Sequence, residues 1–255
     1  MKKLKQYAFV LSELAGRELK RKYARSYLGV LWSVLNPLLS MVVMSLIFST
    51  MFRRSIENFP VYYLTGTIIW NMFTGATNSA MTSLVDNKTL MIKSKLPRQI
   101  FPLSRILTSL VNFGYSLLSY VLIVALFGIA PSIHLLTFPV AVILLFLFSV
   151  GFSYILTIMY TFLADIKYLY SILLHLWTYL CAIFYPIDRL SEQMQRVVRV
   201  NPMYVYIAAA RKCVMYHEWP TTVEWIQMFG WGIGMYVLGK LVFEAFKNKI
   251  MIQNM

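Results

Sequence analysis

Long apolar runs, each bounded by basic or turn-forming positions, organise this sequence. Uncharged runs of this length are the signature of membrane-spanning helices. The first covers residues 31–52, whose 22 residues rise about 33 Å as a helix, enough to cross a bilayer. Pro37 falls near its start, where a missing amide costs little. Further runs at 61–84, 103–127, 136–163, 168–186 and 223–243 predict an all-α integral membrane protein of six transmembrane helices. These form one transmembrane domain, 31–247, ahead of a short tail, 248–255. At the N-terminus, Leu4, Ala8, Leu11, Ala15 and Leu19 recur at helical spacing among Lys and Arg residues. This predicts an amphipathic helix within 1–30, lying along the inner membrane surface. Residues 203–210 are apolar but too few to span, and predict a re-entrant or interfacial helix.

Between the second and third runs the pattern changes. Residues 86–102 carry Lys88, Lys93, Lys95 and Arg98 among Leu90, Met91, Ile92 and Leu96, which predicts a short amphipathic helix ending near Pro97. Its charge places it on the cytoplasmic side. There it either docks on a soluble partner or, as a solvated loop, only sets topology.

Polar positions inside the spans are few and ordered. Thr67, Asn71, Thr74, Asn78 and Thr82 stack on one face of the second span. Lipid offers them no partners, so the stripe faces other helices or water. Each residue suits an interhelical hydrogen bond, and the stripe as a whole suits the lining of a polar conduit. In the fifth span Ser171, His175, Thr178 and Tyr185 share a face roughly. His175 is either a proton relay or a neutral hydrogen-bonding residue.

Charge sharpens this picture. The chain is 59% hydrophobic and only 13% charged, yet carries a net charge of +14. The basic residues flank apolar spans and form no continuous face, so membrane topology explains them and nucleic-acid binding does not. With six spans and both termini on one side, most Lys and Arg fall on that side, which is therefore cytoplasmic. Arg189, Arg196, Arg199, Arg211 and Lys212, in the last outer loop, run against the rule. They bind a lipid head group or a substrate phosphate, or anchor interfacial helices. The first residues superficially resemble a secretion signal, but the apolar core at 7–11 is too short and Glu13, Arg17 and Glu18 follow it. The segment is expected to be retained.

Several chemistries are missing. No Asp or Glu lies mid-span, which argues against an ion-coupled carrier and a magnesium-dependent prenyltransferase. Cys181 and Cys213 give no disulfide framework, and Cys213 with His217 is too small a set for a metal. Residues 234–240 fit a phosphate-loop pattern, but Leu241 stands where a magnesium-holding hydroxyl belongs and the stretch lies in an apolar helix. Gly230 and Gly234 there suit close helix packing instead. The chain thus has no energy-coupling site of its own.

Three blocks carry a family resemblance: ELKRKYARSYLGVLWSVLNPLL (18–39), IIWNMF (68–73) and NKTLMIKSKLPRQIFPLSRIL (87–107). They resemble type-2 ABC-transporter permeases, most closely the exporters of O-antigen, capsular polysaccharide and teichoic acid. The resemblance implies a transport subunit, not an enzyme, in the cytoplasmic (inner) membrane of a bacterium. It implies a homodimer paired with two copies of a separate ATP-binding-cassette subunit, which holds the ATP and Mg, this chain binding no cofactor or metal. The cargo it implies is a lipid-linked glycan or polyol-phosphate polymer. The docking, or coupling, segment would comprise Asp86, Lys88, Leu90, Ile92, Lys93, Lys95, Leu96, Pro97 and Arg98. An N-terminal helix, 4–25, would pack at the cytoplasmic entrance, and short helices in 188–216 would lie near the outer exit. Trp70, Phe73, Trp177, Tyr179 and Tyr185 would contact sugars beside the Thr67–Thr82 stripe. A permease for a small hydrophobic drug or lipid, and a membrane enzyme acting on polyprenyl-linked sugars, are the alternatives.

Overall fold

The computed structural model describes residues 2–24, 26–52, 56–94 and 96–253 of the 255. Their regular structure is helical: α1 (Lys2–Tyr23), α2 (Leu31–Phe52), α3 (Phe59–Met81), α4 (Ser83–Asp86), α5 (Lys88–Lys93), α6 (Ile100–Leu126), α7 (Thr137–Phe162), α8 (Ile166–Leu180), α9 (Glu192–Val200), α10 (Pro202–Arg211) and α11 (Thr222–Gln253). Short 3₁₀ turns precede α7 and α9, and a π-helical turn, Lys212–Tyr216, extends α10.

Four stretches are long and apolar enough to cross a membrane: Leu31–Phe48, Ile100–Leu126, Ile133–Phe162 and Thr222–Lys247. They make this an all-α, multi-pass membrane protein. The two other predicted spans take a different form. α3 has 23 residues, but its hydroxyl and amide positions dilute its apolarity and neighbouring helices bury most of it. It ends at Met81, where the Thr82 amide turns back to the Ala80 carbonyl, so 83–93 folds as two short helices. The helix expected over 168–186 is shorter. α8 has 15 residues, about 22 Å, before the chain leaves the helical path with Ala182 at φ 48°.

Asn201 fixes that break. Its side-chain oxygen accepts from the Met203 amide at 3.1 Å, capping α10 ahead of Pro202, and from Trp177 Nε1 at 2.8 Å. Its amide nitrogen donates to the Leu180 carbonyl at 2.8 Å. One side chain thus starts α10 and satisfies the end of α8.

The main core gathers α3, α6, α7 and α10 around Phe73, Phe148 and Tyr206. A second core joins Leu14 of α1 to Leu84, Met91, Phe101, Tyr154 and Phe243, at the end of the bundle that holds α4 and α5. α7 and α11 meet backbone to backbone. A Cβ on Gly151 would stand 2.1 Å from the Met235 carbonyl oxygen, and one on Gly239 the same distance from that of Gly151. Gly232 also approaches the Leu144 carbonyl. The expectation that Gly230 and Gly234 make this contact is therefore corrected: nothing lies within 4 Å of a Cβ on either, because both point away from α7.

Candidate functional site

The polar stripe of α3 opens, at its middle, onto a cavity of about 680 Å³ enclosed by α1, α2, α3 and α6. Asn71, Thr74 and Asn78 line it; Thr67 and Thr82 do not. Thr67 is buried with its hydroxyl unpartnered, and Thr82 donates to Asp86 Oδ2 at 2.8 Å. The opposite wall is a stripe on α6, formed by Arg105, Thr108, Ser109, Asn112 and Ser116. α2 adds Trp32, Ser33 and Asn36, and α1 adds Glu18, Arg21, Lys22 and Tyr23.

A hydrogen-bond relay ties the walls together. Tyr23 donates its hydroxyl to Asn112 Oδ1 at 2.7 Å and shares a 2.5 Å hydrogen bond with Ser33 Oγ. Ser116 donates to the Ser33 carbonyl at 3.0 Å. Trp32, 49% exposed, offers an indole face beside these hydroxyl and amide groups. Such a lining presents donors and acceptors of both kinds together with an aromatic platform, the combination that grips sugar hydroxyls and C–H faces.

The sequence reading missed Trp32 and the whole α6 stripe. The stripe had the same signal as that of α3, since 105, 108, 109, 112 and 116 recur at helical spacing.

The predicted aromatic platform is corrected. Phe73 is fully buried and Trp70 nearly so. Their rings, with Trp177, pack on one another and on Phe148 and Phe152, at centroid separations of 5.4–6.1 Å. Faces already used inside the core are not available to stack on a substrate. Tyr179 is exposed, Tyr185 donates its hydroxyl to the Tyr179 carbonyl, and His175 Nδ1 lies 2.7 Å from the Ser171 carbonyl, an arrangement that puts the ring proton on Nδ1. None of these lines the cavity.

At the α5 end, Lys88, Ile92 and Lys93 are exposed, while Met91 is buried and Leu90 and Leu96 pack on the second core. Pro97 and Arg98 are half-buried, and Lys95 lies outside the described residues. α5 is thus held by one face and shows a basic-apolar face to its surroundings. Asp86 turns from that face to Arg105, at 3.2 Å.

Among the outer basic residues, Arg189, Arg196 and Arg199 are exposed. Arg211 is corrected: it is 3% exposed and presents nothing to an outer phosphate or lipid. Its guanidinium donates to the carbonyls of Tyr62, Ala182 and Ile183 at 2.9–3.2 Å and lies 3.4 Å from the Tyr62 ring centroid. Gly66 makes room, since a Cβ there would stand 2.9 Å from Arg211 Nη2. The break after α8 exposes carbonyls that need donors, and a planar fork of donors suits them.

Similarity to known proteins runs along nearly the whole chain. It is 29% identical to the O-antigen export system permease protein RfbA of Myxococcus xanthus, over 96% of this chain and 95% of that one. With the protein of the same name from Klebsiella pneumoniae it shares 28% identity, over 94% and 93%. With the polysialic acid transport protein KpsM of Escherichia coli the identity is 22%, over 84% of each. Residues 10–215 match the model of the ABC-2 type transporter family, and the chain belongs to that family.

Proposed function

We propose that this chain is the membrane-spanning permease subunit of an ATP-driven exporter that moves a lipid-linked cell-surface polysaccharide across the bacterial cytoplasmic membrane. The observation that carries this reading is the cavity walled by the amides and hydroxyls of α3 and α6, with Trp32 at its edge. A small hydrophobic cargo has no use for such a lining, whose polar groups would lose their hydration without replacement. The names borne by the full-length relatives point the same way.

In this reading α3 and α8 complete six crossings with the four apolar stretches, both termini lie in the cytoplasm, and α9 and α10 sit near the outer exit. Two copies pair, and two ATP-binding-cassette subunits, carrying ATP and magnesium, dock on the exposed face of α5. Their closure shifts the permease between conformations, as a ligand with unequal affinity for two states must.

The test is complementation of a strain lacking the gene. Asn71→Ala with Asn112→Ala should lower surface polysaccharide severalfold at equal permease abundance. Wild-type export in that double variant would place the path elsewhere, and failure of the wild-type gene itself to restore surface polysaccharide would revive the small hydrophobic cargo.

A further inference from the structure

Behind the exposed face of α5 lies a set of charges that the docking surface does not use. Glu18, 7% exposed, has Arg105 Nε and Arg21 Nη2 each at 3.3 Å and Arg17 Nη2 at 3.4 Å from its carboxylate. The other end of Arg105 reaches Asp86 Oδ2 at 3.2 Å. One guanidinium on α6 is therefore shared between a carboxylate of α1 and a carboxylate of α4, and Asp86 is followed directly by Asn87 and α5. Two further contacts follow the same line. Arg17 donates to Asn87 Oδ1 at 2.8 Å, and Thr108 donates to the Ala15 carbonyl at 3.5 Å.

The placement of these groups joins two regions. Glu18 and Arg105 line the cavity wall, and Asp86 does not. Glu18 and Arg105 are 7% and 8% exposed, so parting them costs more than parting a surface pair, even with Arg17 and Arg21 still beside Glu18 and Asp86 still beside Arg105. A displacement of α4 and α5 therefore either carries Arg105 and Glu18 with it or breaks the Asp86–Arg105 pair, in which Arg105 is buried and Asp86 is not.

We infer that Arg105 is a positioning residue for transport: through Glu18 and Asp86 it ties the place of α1, which walls the cavity, to the place of α5. Motion imposed on α5 by its partner then resets the cavity wall. The inference rests on α5 being the docking surface.

The test uses the assembled transporter in its native membrane. The variants are Asp86→Asn, Glu18→Gln and Arg105→Gln, and the measurements are recovery of the ATPase with the permease, ATP hydrolysed, and polysaccharide exported. D86N removes the charge from the arm toward α5 and leaves the cavity lining intact. With the link broken, ATPase recovery should persist while export per ATP falls severalfold in D86N and E18Q. If R105Q fails to accumulate, D86N and E18Q decide the matter, since each keeps the guanidinium.

Unchanged export per ATP in D86N and E18Q overturns the role of Arg105. So does a parallel loss of recovery, hydrolysis and export, the mark of a merely structural contact. Reversing charge in K88E/K93E tests the docking reading separately. Undiminished ATPase recovery there overturns that reading and this inference with it, whereas lost recovery beside unchanged export per ATP in D86N and E18Q overturns the inference alone.

Discussion

Arg211 holds its guanidinium among carbonyls presented by the first turn of α3 and the break after α8, and no carboxylate among the described residues forms an ion pair with it. In Arg211→Met the Ile183 carbonyl loses that donor while that of Ala182 keeps the Tyr62 hydroxyl at 3.3 Å, so about 1–3 kcal/mol of stability should go. For a chain of this size that is roughly 2–12 °C in Tm, read by thermal unfolding of the detergent-solubilised protein. Arg211→Lys keeps the charge but not the planar fork, and should fall between. An unchanged Tm in R211M would show that the carbonyls find other donors. The sequence shows only a basic residue in an outer segment, which is why an external phosphate was the natural reading. What it cannot show is that a helix will stop early and aim its last carbonyls inward. The same blindness applies to Asp86, whose place in a basic segment suggests docking while its carboxylate turns to Arg105.

Elements were legible wherever one run of residues decided its own structure. Apolar length marked α2, α6, α7 and α11, and the charge pattern marked α1 and α5. α8 was misjudged in length because what ends it lies elsewhere: Asn201 takes up its last carbonyl and Arg211 the carbonyls beyond. Pro186, the visible punctuation, comes after the true stop. The glycines of α11 teach the same lesson. Gly230 and Gly234 satisfy the small-residue spacing of packed membrane helices, but only α7 determines which glycines face it, and Gly232 and Gly239 do. Gly151→Ala and Gly239→Ala should therefore force α7 and α11 apart, since the intruding methyl meets backbone that cannot rotate away. Loss of Tm and of recoverable monodisperse protein is expected for both. Gly230→Ala and Gly234→Ala meet open space, and a helix-interior alanine there is worth up to about 1 kcal/mol over glycine, so Tm should hold or rise slightly. Equal behaviour of all four variants would contradict the α7–α11 contact.

At the scale of the whole molecule, the cavity is the least legible feature, because its walls come from α1, α2, α3 and α6, far apart in the chain. Its α3 wall was visible as a stripe. Its aromatic was assigned to the wrong side of α3, because Trp70 and Phe73 lie beside the stripe in sequence but face the opposite way, into the core. The two kinds of aromatic should separate cleanly on substitution. Phe73 is enclosed by Trp70, Phe148, Phe152 and Trp177, so Phe73→Ala leaves a cavity in close-packed surroundings and should cost about 3–5 kcal/mol. Any loss of export in F73A should then follow the loss of folded permease. Trp32 is half exposed on the cavity rim, so Trp32→Ala removes little buried area and should leave Tm nearly unchanged. If its indole is the face on which a sugar slides, W32A lowers surface polysaccharide severalfold at equal permease abundance, and Trp32→Phe restores part of it, since stacking needs a ring and no particular polar group. Should W32A export at the wild-type level, the aromatic contact would have to be sought at Tyr179, which is exposed on α8 outside the cavity, and the amide and hydroxyl walls alone would be left to hold the glycan.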